Sequence, residues 1–207
     1  GFGFFVLSDS RIDDNHATFE GGGLAGSGHL IRTAVTGNAA AKLGGGLSGS
    51  FELDQSSITA NQAHDGGGLA LHWSSQSATI RQSLVANNRA ARFGGGIYNR
   101  GYVSATDTTL AGNIAGNAGG ALYDEGRFDR ETEQTTAAVA TLSFCTIAGN
   151  QAGSGGGVLA TFGEIRPKNT VIAGNAGGDC ELPFFGFGTL CSLGANFESD
   201  GTCRVNG

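Results

Sequence analysis

Side chains able to do chemistry are few and scattered along this chain. Hydrolysis of a glycosidic bond needs two carboxyl groups roughly 5–9.5 Å apart. A polysaccharide lyase needs a base together with cations or carboxylate-held calcium, to stabilise a developing enolate. The adjacent acids Asp13 and Asp14 fit neither pattern and read as solvated surface charge. His16, His29, His64 and His72 have no zinc-site spacing, and no nucleophile elbow, phosphate-binding loop or His-Glu-x-x-His helix occurs. No catalytic residue, cofactor or metal is therefore expected. Tyr98 and Tyr123 are more promising, because each is followed two residues later by a charge, Arg100 and Glu125 respectively. Aromatic faces flanked by charges suit a sugar or a peptide side chain. The bland alternative is cross-strand stabilisation worth roughly 0.2–1 kcal/mol per pair. If the surface binds, exchanging both tyrosines for serine should remove binding and change stability by no more than about 1 kcal/mol.

These residues must be positioned by a repeat. An aliphatic residue, two small or polar residues and an asparagine recur in eight places. The asparagines are Asn15, Asn38, Asn61, Asn88, Asn113, Asn150, Asn175 and Asn196, separated by 23, 23, 27, 25, 37, 25 and 21 residues. Glycine clusters beginning at Gly21, Gly44, Gly66, Gly94, Gly119 and Gly155 follow six of them, and each leads into an aliphatic residue. Leu7, Leu30, Leu53, Ile80, Ala105, Leu142 and Pro167 form one further column. Ser10, Thr33, Ser56, Ser83, Thr108, Cys145, Thr170 and Cys191 form another. The two-residue step from Ser10 to Ile12 is strand spacing, with both side chains on one face.

A helical solenoid fits poorly, since each glycine costs roughly 1 kcal/mol in a helix and no 3.6-residue apolar stripe is present. The expectation is an all-β chain: one parallel β-helix over 1–207, of about eight coils stacked about 4.8 Å apart. Within it, the asparagine amides should form a ladder from coil to coil, where an unpaired buried polar group would cost roughly 1–3 kcal/mol. The long gap implies a polar insertion at 124–136, read as a solvated loop. Outward columns should then carry Ala25, Ser48, Ala70, Tyr98, Tyr123 and Leu159, with Ser27, Ser50, His72, Arg100, Glu125 and Thr161 beside them. Trp73 shares the inward spacing of Phe51 and Phe162 and is expected in the core. The outward position that reads Asp9, Arg32, Gln55, Gln82, Asp107, Phe144, Asn169 gathers no acids on neighbouring coils.

Composition agrees with a globular solenoid. A hydrophobic fraction of 39% fills a core, and a net charge of -6 is too small to enforce disorder. The 38 glycines follow no three-residue period, which excludes collagen. No apolar run of about 18 residues occurs, so no helical membrane span is expected. Mild acidity argues against nucleic acid as a partner. With no methionine in 207 residues, the chain reads as processed or as a fragment of a longer one.

The paired elements, glycine-glycine-aliphatic and hydrophobic-x-x-Asn, resemble the right-handed parallel β-helix repeat proteins of bacteria, including the repeats of polymorphic outer-membrane proteins. The stretch from Asn169 to Asn175, then Gly178-Asp179-Cys180, Ser192 to Asn196 and Asp200 to Cys203, resembles the end of such arrays in secreted, surface-anchored bacterial proteins. The resemblance covers nearly the whole chain and implies the fold. It leaves function open, since these repeats carry adhesins, scaffolds and polysaccharide enzymes alike.

The cysteine-containing C-terminal end at 176–207 is expected to hold a disulfide. Cys180 and Cys203 fall at similar places on adjacent coils, near enough to bond. Cys145 and Cys191 fall two coils apart on the Ser/Thr column, about 9.6 Å, and read as buried thiols. A disulfide implies an oxidising compartment, hence an extracellular, cell-surface or periplasmic location. Both ends are aromatic, Gly1 to Phe5 and Pro183 to Gly188, and are expected to cap the rod or to meet copies of the chain or other subunits. The function expected is non-enzymatic: an extracellular or cell-surface structural or adhesive module whose partner is a protein or a glycan. The alternative is a carbohydrate-active enzyme, lyase or hydrolase, with its catalytic residues on loops or outside this fragment.

Overall fold

The computed structural model describes residues 4–129, 134–182 and 188–203. Among these the chain is all strand and turn, wound as a parallel β-solenoid of about seven turns. Three parallel sheets of 13, 8 and 5 strands form its faces, and one antiparallel hairpin projects from it. In each coil the chain leaves its glycine cluster along the long sheet and turns into a three-residue strand of the second sheet. It turns again at the asparagine, pairs briefly in the third sheet and reaches the next cluster.

The columns read from the sequence are the registers of these sheets. Leu7 pairs with Leu30, then in succession Leu53, Ile80, Ala105, Leu142 and Pro167 along the long sheet. Ile12, Val35, Ile58, Val85, Leu110, Ile147 and Ile172 do the same in the second sheet. Together they fill one continuous lumen, where most of these side chains are fully buried. Complete burial of a leucine or isoleucine contributes roughly 1.5–3 kcal/mol, so the stacked columns dominate stability.

Glycine is required at the corner that starts each coil. Gly66 has φ +66, and a Cβ on Gly67 would lie 2.5 Å from the Gly95 carbonyl oxygen of the next coil. At the opposite corner, left-handed backbone falls on residues that are not glycine. Asp9, Arg32, Gln55, Gln82, Asp107, Phe144 and Asn169 all have φ between 45° and 54°. Their side chains point outward, and two adjacent pairs bond: Arg32 to Asp9 through two hydrogen bonds of 2.7 Å, and Gln55 to Gln82 at 3.2 Å.

The amide ladder runs unbroken from Asn15 to Asn175. Each Oδ1 accepts from both the backbone N–H and the Nδ2 of the asparagine one coil before it, at 2.9–3.1 Å. Its end differs from the expectation. The acceptor for Asn175 is the Asp179 carboxylate, at 3.1 and 2.9 Å, and Asn196 is not a rung. Asn196 occupies the Ser/Thr column instead, accepting from the Thr170 N–H at 2.9 Å. Cys191, expected on that column, lies beside Ile165 and is half-buried. Leu193 likewise leaves the aliphatic column, and Ile172 pairs with Glu198. The last coil takes 26 residues from Thr170 to Asn196, so residues only 21 further along fall short of the columns the motif assigns them.

Coils of unequal length decide where several residues go. Leu69 pairs with Leu47 while Ala78 pairs with Phe51, so the third coil holds five extra residues in a turn at His72–Gln76. Trp73 sits on that turn and is 61% exposed, and Ala78 takes the inward place expected for it. Phe162 is also displaced, lying half-buried at φ 54 and bridged to Glu125. The insertion read at 124–136 is not one solvated loop: Asp124 is buried, and Arg127–Asp129 pairs antiparallel with Gln134–Thr136. The tip at 130–133 and both aromatic stretches 1–3 and 183–187 lie outside the described residues. Phe4 is 66% exposed, and Phe5 packs on Phe51 with ring centroids 6.1 Å apart.

Candidate functional site

Tyr98 and Tyr123 lie side by side on adjacent coils, with Ala70 and Leu159 flanking them in the same column. They alternate with lumen residues Ile97 and Leu122, so their rings point away from the lumen. Outward does not mean exposed here. Tyr98 is 6% and Tyr123 7% accessible, because a second column closes over them. It is made by the residue that precedes each glycine cluster: Glu20, Leu43, Asp65, Phe93, Ala118 and Ser154, bridged in register. Phe93 stacks on Tyr123 at 4.5 Å, and Tyr123 stacks on Tyr98 at 6.0 Å. The result is a small second core. Burial pushes both phenols upward, and the Glu125 charge adds to this at Tyr98.

Charged groups gather at the rim of this stack. The Tyr98 hydroxyl donates to Glu125, and Arg100 lies 3.4 Å from the same carboxylate. Asp65 accepts two hydrogen bonds from Arg92, at 3.1 and 2.8 Å, and one from the Phe93 N–H at 3.1 Å. Those bonds hold the Arg92 guanidinium firmly charged, 4.6 Å over the Phe93 ring. The four residues singled out in the sequence are thus together, with Glu125 as the hub. Glu20, Asp65, Arg92 and Phe93 escaped sequence reasoning. The available signal was their shared position just before, or one residue further from, a glycine cluster.

Beside the rim, the outer face forms a trough. Two adjoining hollows of about 230 and 390 Å³ share His72 and Trp73. One extends over Arg100, Glu125 and Arg127, the other over Glu20 and the small residues Gly26, Ser27, Gly49 and Ser50. The His72 and Trp73 rings are 5.1 Å apart. Burial pushes the His72 imidazole down, toward its neutral form, against the pull of Glu20 at 3.5 Å. Its Nδ1 is buried with no hydrogen-bond partner.

Two further polar groupings bear on chemistry. Beneath the trough, Asp124 is fully buried, with Oδ1 accepting from Asn99 Nδ2 at 2.5 Å and Oδ2 unpartnered. Burial raises its pKa to about 7. Near the C-terminal end, carboxylate oxygens of Asp179, Glu198 and Asp200 lie within 4.8 Å of one another. Their oxygens accept from Asn175, Ser199, Gly201, Thr202 and the Asp179 N–H, so the cluster serves to close the coil. Cys180 and Cys203 are joined by a disulfide with Cα atoms 4.8 Å apart, while Cys145 is a buried free thiol that burial pushes to about 11.

The repeat of the Chlamydia polymorphic membrane proteins matches residues 82–100, which contain Val85 to Asn88, the cluster at Gly94 and both Tyr98 and Arg100. No curated protein and no solved structure matches the chain. The chain is a parallel β-helix repeat protein whose repeats resemble those of the polymorphic membrane proteins. Among the described residues, no helix is long and apolar enough to cross a membrane.

Proposed function

We propose that this chain is a non-enzymatic module displayed outside the cell or in the periplasm, where it holds an adhesive outer face on a rigid rod. The observation that carries this reading is the commitment of the ionisable groups on that face. Glu125 is engaged by Tyr98 and Arg100, and Asp65 by Arg92, so both acids act as structural hubs. A general base must reach a substrate proton, and these carboxylates are already turned to the protein's own donors. The repeat likeness supports a surface setting, and the Cys180–Cys203 disulfide supports an oxidising one. The partner is a protein or a glycan of the surface the module meets. Association with copies or neighbouring subunits belongs to the same reading: the strand Phe4–Ser8 has one neighbour among the described residues and exposes Phe4 and Val6.

Two measurements test it. Added protease should degrade the protein on intact cells if it is displayed outside, or only after the outer membrane is permeabilised if it is periplasmic, and beads coated with it should adhere to cells or to polysaccharide-coated surfaces. Release of reducing or unsaturated ends from any polysaccharide would replace this reading with the enzymatic one.

A further inference from the structure

The trough on the outer face has not been given an occupant, and its shape is the direct outcome of unequal coils. In the first two coils the chain crosses it as the uninterrupted strands Leu24–Ile31 and Leu47–Asp54. The floor there is bare, since Gly26 and Gly49 pair in register at φ +131 and +126, and a Cβ on Gly26 would meet nothing within 4 Å. In the third coil the extra turn lifts Trp73 above that floor as a wall, and in the fifth the hairpin adds Arg127. Five coils at about 4.8 Å give a trough on the order of 19 Å long.

We infer that this trough binds an extended, neutral glycan chain, with Trp73 as the platform for a sugar ring. This deepens the adhesive reading above and rests on it. The apolar face of a pyranose stacks on an exposed aromatic ring, and its hydroxyls take hydrogen bonds from a polar rim. Among the lining residues, the Ser27 and Ser50 hydroxyls of the floor can donate to and accept from such hydroxyls, and the Glu20 carboxylate can accept from them. Charge excludes a polyanion: Glu20 and Glu125 balance Arg100 and Arg127, and burial favours neutral His72. An extended peptide fits less well. It would need an open sheet edge or apolar side-chain pockets, whereas Leu47–Asp54 is paired on both sides and the floor is glycine and serine.

The chain's single tryptophan makes the test direct. Intrinsic fluorescence is titrated with neutral hexaoses of glucose, xylose and mannose, with polygalacturonate, and with a tryptophan-free peptide pool. The expected result is a saturable shift with at least one neutral hexaose, insensitive to salt, weakened about tenfold or more in Ser27→Arg and Ser50→Arg. Both variants keep Trp73 and alter half-buried floor positions, and unchanged melting confirms folding; if one fails to fold, the other decides. No response to any neutral hexaose, or a response to polygalacturonate or peptide alone, overturns the inference. Adhesion without hexaose binding removes the glycan trough only. Hexaose binding without adhesion removes the adhesive reading and leaves the trough.

Discussion

Replacing Asn88 by leucine tests the ladder at its centre. Asn88 is fully buried and makes four side-chain hydrogen bonds. Its Oδ1 accepts from the N–H and Nδ2 of Asn61, and its Nδ2 donates to the Ile58 carbonyl and to Asn113 Oδ1, all at 2.9–3.0 Å. Leucine has nearly the same size and shape but supplies none of these. Two neighbours keep a partner: Asn61 Nδ2 still donates to Val35, and Asn113 Oδ1 still accepts from the backbone of residue 88. The loss concentrates on the Asn61 N–H, a buried donor left alone at a cost of roughly 1–3 kcal/mol. Adding the three other bonds at the low end of roughly 0.5–1.5 kcal/mol each puts the total at about 3 kcal/mol or more. For a chain of this length that is a fall in melting temperature of about 6–12 °C. Urea unfolding and thermal melting read the global effect, and hydrogen exchange at residue 61 reads the local one, which matters because solenoids can lose two-state behaviour. Asn15→Leu at the exposed first rung should cost under about 1 kcal/mol. If Asn88→Leu stays within about 0.5 kcal/mol of the parent, or costs no more than Asn15→Leu, the ladder is not what holds the coils in register.

Other outcomes follow from the same geometry. Tyr98→Ser with Tyr123→Ser should cost several kcal/mol, not the small change expected from an outward pair, because two rings would leave cavities in a buried stack; denaturant midpoints measure this. Tyr98→Phe alone should cost roughly 1.5–3 kcal/mol by leaving Glu125 without its phenol, by the same measurement. Asp124 gives a pH dependence of defined sign. Its pKa is about 7 in the folded chain against 3.8 for an ordinary aspartate, so the folded state holds the extra proton between them. Stability should be full below about pH 4, fall as pH rises toward 7 and level off above it, and Asp124→Asn should remove that slope in melts across pH. Reducing Cys180–Cys203, or changing both to serine, should loosen the last coil by on the order of 3 kcal/mol, seen as faster hydrogen exchange at Asp179 and Cys180 and little change near Asn61.

Spacing alone was enough for the winding of the chain. The intervals between asparagines place strands, corners and lumen columns, because in a solenoid each residue's neighbour is the one a coil away in sequence. The same intervals already held the correction for Trp73: a gap of 27 between Asn61 and Asn88 against 23 before it is a net excess of four, the five residues of the turn less one lost between Asn61 and Leu69. A pattern of local spacing could not say on which side of Leu71 they were extruded. Register did, by pairing Ala78 with Phe51. The left-handed corner at Gln55, Gln82 and Phe144 was illegible, since these residue types have no preference for positive φ and adopt it only because stacking imposes it. The Tyr98 and Tyr123 column could be found from alternation, but its burial could not. Alternation distinguishes the lumen from everything outside it, while cover by Phe93 depends on how the corner at Gly94 folds back over the sheet. The end of the ladder shows the division most plainly. Asn196 satisfies the motif in sequence, yet the place belongs to Asp179, whose carboxylate closes the last rung from four residues away. A motif records which groups can bond; which of them meet is decided by how many residues the chain takes to go once around, and here that is 26 rather than 21.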